Sequence, residues 1–253
     1  MIELTAADGH KFSAYRVDPS DTPKGAVVVL QEAFGVDPRI CKVADSFAAK
    51  GYVAIAPALI DRVTEGNETS NCGTSVTEGL EFVKHVGTDG PFSDIQATID
   101  AVKDAGKVAI VGYSSSAYLA YLSGNRVNGL ACAIGYYGAG IVDEYHEKRK
   151  IPTLIHFGEN DPASPSEEVV QFRAYRPDVT VYTYPAGPGF DCNEKDSYDE
   201  VAAAKALDRT LFWISQYVEG QPPIALKNAG AYAQAKTDKK KKKPADDQGP
   251  PMD

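Results

Sequence analysis

Four histidines, four cysteines, two methionines and a single tryptophan in 253 residues leave little soft or imidazole chemistry to distribute. The cysteines, at 41, 72, 132 and 192, lie far apart with no C-x-x-C pair. That spacing excludes a disulfide framework and a cysteine zinc site, so no metal is expected and the thiols read as reduced, in a cytoplasmic protein. No apolar run reaches the length of a membrane span, and MIELTAADGH has no signal-peptide core. Neither membrane nor nucleic acid is an expected partner, because positive charge is in deficit: the formal net charge is −9.

Hydrophobic content of 43% and charged content of 24% are those of an ordinary globular chain, long enough for one large α/β domain. Residues 2–17 alternate about Asp8-Gly9, which predicts a hairpin. Apolar runs at 26–31, 53–57, 107–113, 129–137, 152–157 and 179–184 predict strands. Helical patterns fall at 39–50, 76–86, 93–105, 116–123, 166–174 and 197–218, with a polar loop at 60–75. Strands alternating with helices predict a mostly parallel sheet with helices on both faces, over residues 1–218. Gln221-Pro222-Pro223 breaks the last helix, and 219–253, with its Lys239–Lys243 run, reads as a disordered tail. Its lysines fit a solvated, solubilising role better than contact with an acidic partner, and 224–236 is open to a helix docked on the domain or on a second subunit.

Ligands of such sheets sit beyond the carboxyl ends of the strands, and there the chain places Glu32, Ser114 and Asp161. Around Ser114 the sequence runs KVAIVGYSSSA: a buried strand, a sharp turn and a helix start. A hydroxyl on such a turn is the nucleophile elbow G-x-S-x-G of α/β-hydrolases, here Gly112-Tyr113-Ser114-Ser115-Ser116, with serine in place of the last glycine.

Further landmarks follow in order: Gln31-Glu32-Ala33-Phe34-Gly35, Gly51-Tyr52, Pro57-Ala58-Leu59, Gly135-Tyr136-Tyr137-Gly138, His156-Phe157-Gly158-Glu159-Asn160-Asp161 and Pro185-Ala186-Gly187-Pro188-Gly189-Phe190. In this set the chain resembles the dienelactone hydrolase family over about residues 1–218. The resemblance implies an α/β-hydrolase fold, a small-molecule substrate opened at a lactone bond, and no cofactor. It puts the nucleophile at Ser114, where relatives carry cysteine or serine, and the acid at Asp161. It puts the oxyanion donors at the N–H groups of Ala33 and Ser115, and Phe34, Tyr113, Tyr137 and Pro188 among the pocket residues. Arg62 matches an arginine after the family's P-D-L-Y motif, open to a substrate carboxylate or to a surface role. The family's histidine position, in A-G-H-G-F, is Pro188 here, and nearby Asp191 and Cys192 stand where a substrate-binding arginine is expected.

Imidazole accepts and returns a proton near neutrality, and proline does neither. A serine hydroxyl is a far weaker acid than a carboxyl group, so a glutamate such as Glu32 is a poor base for it. His146, after the 129–137 strand, is the one histidine placed to lie over the active face. His156 reads as a core residue or one packed behind the site, while His10 and His85 lie elsewhere. The sequence therefore leaves three readings open. Ser114, Glu32 and Asp161 hydrolyse a small ester or lactone; Glu32 acts as base in an isomerase- or lyase-type proton transfer on an enol-type metabolite; or a catalytically silent pocket binds a ligand or serves a complex. The oligomeric expectation is a monomer or homodimer.

Overall fold

The computed structural model describes residues 1–32, 35–62 and 89–219. Ala33, Phe34, the 76–86 helical pattern, most of the 60–75 loop and the 220–253 part of the tail lie outside the described residues. All described residues fall within the compact unit Met1–Gln221.

A hairpin opens the chain: β1 (Ile2–Thr5) and β2 (Lys11–Val17) pair antiparallel across Gly9, whose φ of 87° suits the turn. Then come β3 (Ala26–Leu30), α1 (Pro38–Ala48), β4 (Val53–Pro57), a 3₁₀ turn at Leu59–Arg62, α2 (Asp89–Val102), β5 (Val108–Tyr113) and α3 (Ser115–Arg126). The chain continues through β6 (Leu130–Tyr136), a 3₁₀ turn at Ile141–Asp143, β7 (Thr153–Gly158), α4 (Ser166–Tyr175), β8 (Val179–Tyr184) and α5 (Glu200–Tyr217). The eight strands form one sheet in the order β1-β2-β4-β3-β5-β6-β7-β8, with β2 antiparallel to both its neighbours and the rest parallel. This is the α/β-hydrolase architecture expected from the sequence.

Strands β3, β4 and β5 are buried along their whole length because both faces are covered. Val28, Leu30 and Ile110 meet Ile95 and Ile99 of α2 and Leu119 and Ala120 of α3 on one face. Val27, Val29 and Val111 meet Ile40 and Phe47 of α1 and Ala206 and Ile214 of α5 on the other. Period-2 alternation thus divides the core between two helical layers.

Element limits differ from expectation where capping intervenes. The last helix starts at Glu200 rather than 197, because the Asp199 side chain accepts the Ala202 N–H at 2.7 Å and fixes the entry. The helix after Ser114 runs to Arg126, well past the short 116–123 segment, because its Ser123 and Asn125 are buried in its packing. Among the described residues no helix is long and apolar enough to cross a membrane.

Gly112 sets how closely α3 lies on the sheet. A Cβ there would run into the Ser116 carbonyl and come within 2.9 Å of the Ala120 methyl. Gly112→Ala is expected to lower stability by about 1–3 kcal/mol and to displace the start of α3. Urea unfolding gives the first effect; reactivity of Ser114 toward an activated ester gives the second.

Candidate active site

Strand register brings the candidate residues to one end of the sheet. Leu30 of β3 is paired with Gly112 of β5, so Glu32 and Ser114, each two residues further, end adjacent strands. Tyr113 is paired with Tyr136, and Tyr136 with His156, which puts Tyr137 and the Gly158–Asp161 turn at the same edge.

Ser114 has φ 53° and ψ −126°, between the end of β5 and the first turn of α3. Its N–H donates to the Tyr136 carbonyl at 3.0 Å, and its carbonyl accepts from Ala117 at 3.0 Å. A non-glycine residue at positive φ costs on the order of 1–3 kcal/mol unless its surroundings hold it. The Ser114 side chain makes no capping bond to α3, so its hydroxyl is not spent on the helix. Ser115, 3% exposed, opens the helix, where backbone N–H groups lack intrahelical partners. Ala33, the other expected oxyanion donor, and Phe34 lie outside the described residues. The flanks of that loop close tightly, with Glu32 bridged to Gly35.

Glu32 is 8% exposed and lies within a dense ionic network. Arg39, in the first turn of α1, donates to Glu32 Oε1 at 2.7 Å, to the Tyr137 hydroxyl at 3.1 Å and to both oxygens of Asp191 at 3.1 and 3.2 Å. The Tyr137 hydroxyl donates to Asp191 at 2.6 Å and stands 3.2 Å from Glu32 Oε1. Lys195 donates to Glu32 Oε2 at 3.1 Å. The Arg39 guanidinium also lies over the Tyr113 ring, 5.1 Å from its centre. Burial works against the charge on Glu32, but Arg39 and Lys195 outweigh it and hold the carboxyl below its usual range. Asp191 goes the other way: burial, with Glu32 close by, raises it despite Arg39. Glu32 is therefore firmly ionised and a weaker base than a free glutamate.

Asp161 follows β7 and is 3% exposed. Its Oδ1 accepts the Ala163 N–H at 2.9 Å, whereas Oδ2 is buried with no hydrogen-bond partner. Burial raises its pKa, partly offset by the Ala163 N–H. Pro188 lies on the next loop, its carbonyl accepting the Ser197 hydroxyl at 2.6 Å.

The remaining candidates are placed elsewhere. Arg62 forks onto Asp94, a fully buried carboxylate of α2, with two bonds of 2.7 Å, and reaches Asp8 at 2.8 Å. It ties the hairpin and α2 together, and this ion pair, rather than a substrate carboxylate, occupies its donors. His10 joins the same cluster at Asp94, 3.1 Å away. His156 is fully buried between the Tyr184 and Thr210 hydroxyls, and burial, reinforced by Arg209, pushes it down to about 3. His146 is exposed and packs on the Tyr145 ring, 4.2 Å between centres. His85 lies outside the described residues. Among the described residues no three of His, Cys, Asp and Glu are arranged to hold a metal ion.

Arg39 and Lys195 are the residues that sequence reading missed. Arg39 sits on an amphipathic helix where an arginine reads as solvent-facing, and Lys195 lies in an irregular loop that carries no periodic signal.

The raised pKa of Asp161 fixes the sign of a stability test. Such a group favours folding fully below its unfolded value near 3.9, and that contribution is lost as pH rises through the folded value. Asp161→Asn keeps the acceptor for Ala163 and removes the buried charge. It is expected to raise stability at neutral pH relative to acid pH, the gain vanishing below about pH 4. Thermal unfolding across pH 3–8 checks it.

Comparison with known proteins follows the same lines. The sequence model of the dienelactone hydrolase family matches residues 12–218. Carboxymethylenebutenolidase 1 of Cupriavidus pinatubonensis is 26% identical over 221 residues, covering 83% of this chain and 94% of that one. A carboxymethylenebutenolidase of a Pseudomonas species is 28% identical over 221 residues, covering 83% and 92%. In structure, a Klebsiella pneumoniae protein provisionally named a dienelactone hydrolase superposes with a TM-score of 0.75 at 25% identity, covering 85% of this chain and 98% of that one. A match over that span settles the relationship: the chain belongs to the dienelactone hydrolase family, a family of hydrolases.

Proposed function

We propose that this chain hydrolyses a small activated ester or lactone by attack of the Ser114 hydroxyl. The observation that carries this reading is the strained backbone of Ser114, φ 53° and ψ −126°, with the side chain left out of helix capping. That conformation exposes a hydroxyl at the mouth of a parallel sheet, beside the N–H groups that open α3. The curated relatives named as carboxymethylenebutenolidases favour a lactone among the possible substrates.

Roles follow from the local chemistry. Ser115 N–H, with Ala33 N–H, receives the oxyanion. Tyr113 and Tyr137 wall the pocket, and Glu32 and Asp161 are the carboxylates at the same strand ends. Neither is a good base for a serine hydroxyl. Glu32 is held ionised by Arg39 and Lys195, and Asp161 has lost the imidazole through which a carboxylate acts in a triad. The reaction therefore draws mainly on oxyanion stabilisation and substrate activation, features that leave roughly 10³–10⁴-fold over water in a protease stripped of its triad.

A second reading is favoured by one observation, the place of Glu32 at the end of the strand paired with that of Ser114. A carboxylate so placed takes a proton from carbon next to a carbonyl once substrate displaces its partners, with the same oxyanion site holding the enolate. A ligand-binding protein without turnover is the remaining alternative.

Release of alcohol from an activated ester and opening of a dienelactone, measured with the purified protein, Ser114→Ala and Glu32→Gln, separate the three. Hydrolysis predicts turnover lost with Ser114→Ala, by at least tenfold, and largely kept with Glu32→Gln. Loss with Glu32→Gln alone, with solvent deuterium entering unhydrolysed substrate, selects proton transfer. Ligand-induced thermal stabilisation with no turnover in any form selects binding alone.

A further inference from the structure

Behind the elbow, between α1 and α5, lies a cavity of about 410 Å³, a size typical of small-molecule pockets. Phe47 of α1 and Ala203 and Leu207 of α5 form its apolar walls, Tyr113 and Asp191 its inner end, and Glu200, the first residue of α5, its rim. Tyr113 follows Val111 by two residues and so leaves β5 on the face that α1 and α5 cover, in the same cluster as Phe47. This is not the space at Ser114: none of Ser114, Glu32, Asp161 and Pro188 lines it.

Three polar groups of the cavity have bonding capacity left over. Tyr113 is 4% exposed, its ring held under the Arg39 guanidinium and against the rings of Tyr136 and Tyr137, 4.9 and 6.4 Å between centres. The Tyr136 hydroxyl bonds to Thr210 at 2.7 Å and that of Tyr137 to Asp191 at 2.6 Å, but the Tyr113 hydroxyl has no hydrogen-bond partner among the described residues. Burial, with Asp191 close by, holds this phenol protonated, able both to donate and to accept. Asp191 Oδ1 accepts from Tyr137 and Arg39, whereas Oδ2 accepts from no other described residue than Arg39, at 3.2 Å, and has a lone pair to spare. Glu200 is exposed and pairs with no cation among the described residues. No lysine or arginine lines the cavity among the described residues. Apolar walls, two carboxylates and an unpartnered phenol select a ligand with an apolar body and a cationic head of N–H donors.

We propose that this cavity binds a small primary ammonium compound carrying an aryl or branched alkyl group. The ammonium donates to Asp191 Oδ2 and to the Tyr113 phenol oxygen, and Glu200 faces it across the rim. The apolar group lies between Phe47, Ala203 and Leu207. A neutral alcohol of the same shape reaches the same oxygens but leaves the charge of Glu200 unanswered, and an acid is repelled by both carboxylates. The site stands apart from Ser114, so the inference goes beyond the hydrolytic reading and does not need it.

The probe is 2-phenylethylamine at about pH 7.5, where a primary amine is protonated. It is titrated into the full chain by calorimetry, beside 2-phenylethanol and 3-phenylpropionate. Saturable binding of the amine is expected, at least about tenfold tighter than the alcohol, with the acid weaker still. Ala203→Phe fills the cavity from the α5 side and should weaken the amine by at least about tenfold. Leu207→Trp, one turn further on, narrows the same space and replaces the first variant if its melting curve shows a damaged fold. Tyr113→Phe keeps the ring and deletes only the unpartnered hydroxyl, which should cost about fivefold in amine affinity. Ser114→Ala, outside the cavity, should leave that affinity within about twofold. Ester turnover plays no part in the readout, so failure of the hydrolytic reading leaves this result standing. Amine binding that survives Ala203→Phe and Leu207→Trp but is lost with Ser114→Ala places the amine at the elbow and overturns the proposal. Tighter binding of the acid than of the amine, or no amine binding at millimolar concentration, overturns it as well.

Discussion

The Arg39 guanidinium is the tie on which the carboxyl end of this sheet depends. From the first turn of α1 it reaches Glu32 beyond β3, the Tyr137 hydroxyl beyond β6 and Asp191 on the loop that carries Pro188. Three separate segments are thereby fixed around Ser114. The guanidinium is nearly buried and faces two buried carboxylates, so removing it would leave two like charges together in a poorly solvated space. Lys195 balances the second oxygen of Glu32, and the four charges of the network cancel. The same attraction that secures the loops holds Glu32 ionised. This framework can also bear the unfavourable backbone of Ser114, whose neighbour Tyr113 lies directly under Arg39.

Across β6 the situation is reversed. Asp161 is buried with the Ala163 N–H on Oδ1, and its Oδ2 has no partner. The strand ends thus carry a saturated ionic network around Glu32 and, at Asp161, a carboxylate oxygen without a partner. Ser114, the nucleophile of the proposed hydrolysis, follows β5, and neither Glu32 nor Asp161 is a good base for it. The proposed hydrolysis therefore draws on a reactive substrate and on the N–H groups that open α3.

Much of this was legible in the sequence. The parallel sheet could be read because β3, β4 and β5 are short, wholly apolar and stop at turn residues, as strands covered on both faces do. The elbow could be read because Gly112 and the small residues after Ser114 permit close helix packing. The ionic network could not. Nothing local says that Arg39, on a helix with a polar face, folds back onto Glu32, or that Lys195 reaches it from a loop more than 160 residues later. Arg62 shows the opposite case. Asp94 lies among the buried Phe92 and Ile95 on α2, and a carboxylate on the buried face of a helix calls for a cation. That signal calls for a cation without naming it, and the structure shows it to be Arg62.

The most direct test is to find where an acyl group goes. The chain would be mixed with a nitrophenyl acetate, quenched in acid within the first turnover, and digested for mass spectrometry. A single acetyl group on Ser114 is the predicted result, building up because neither Glu32 nor Asp161 is a good base for deacylation. Turnover with no acyl group on Ser114, or with the label on a lysine or tyrosine instead, would contradict the account.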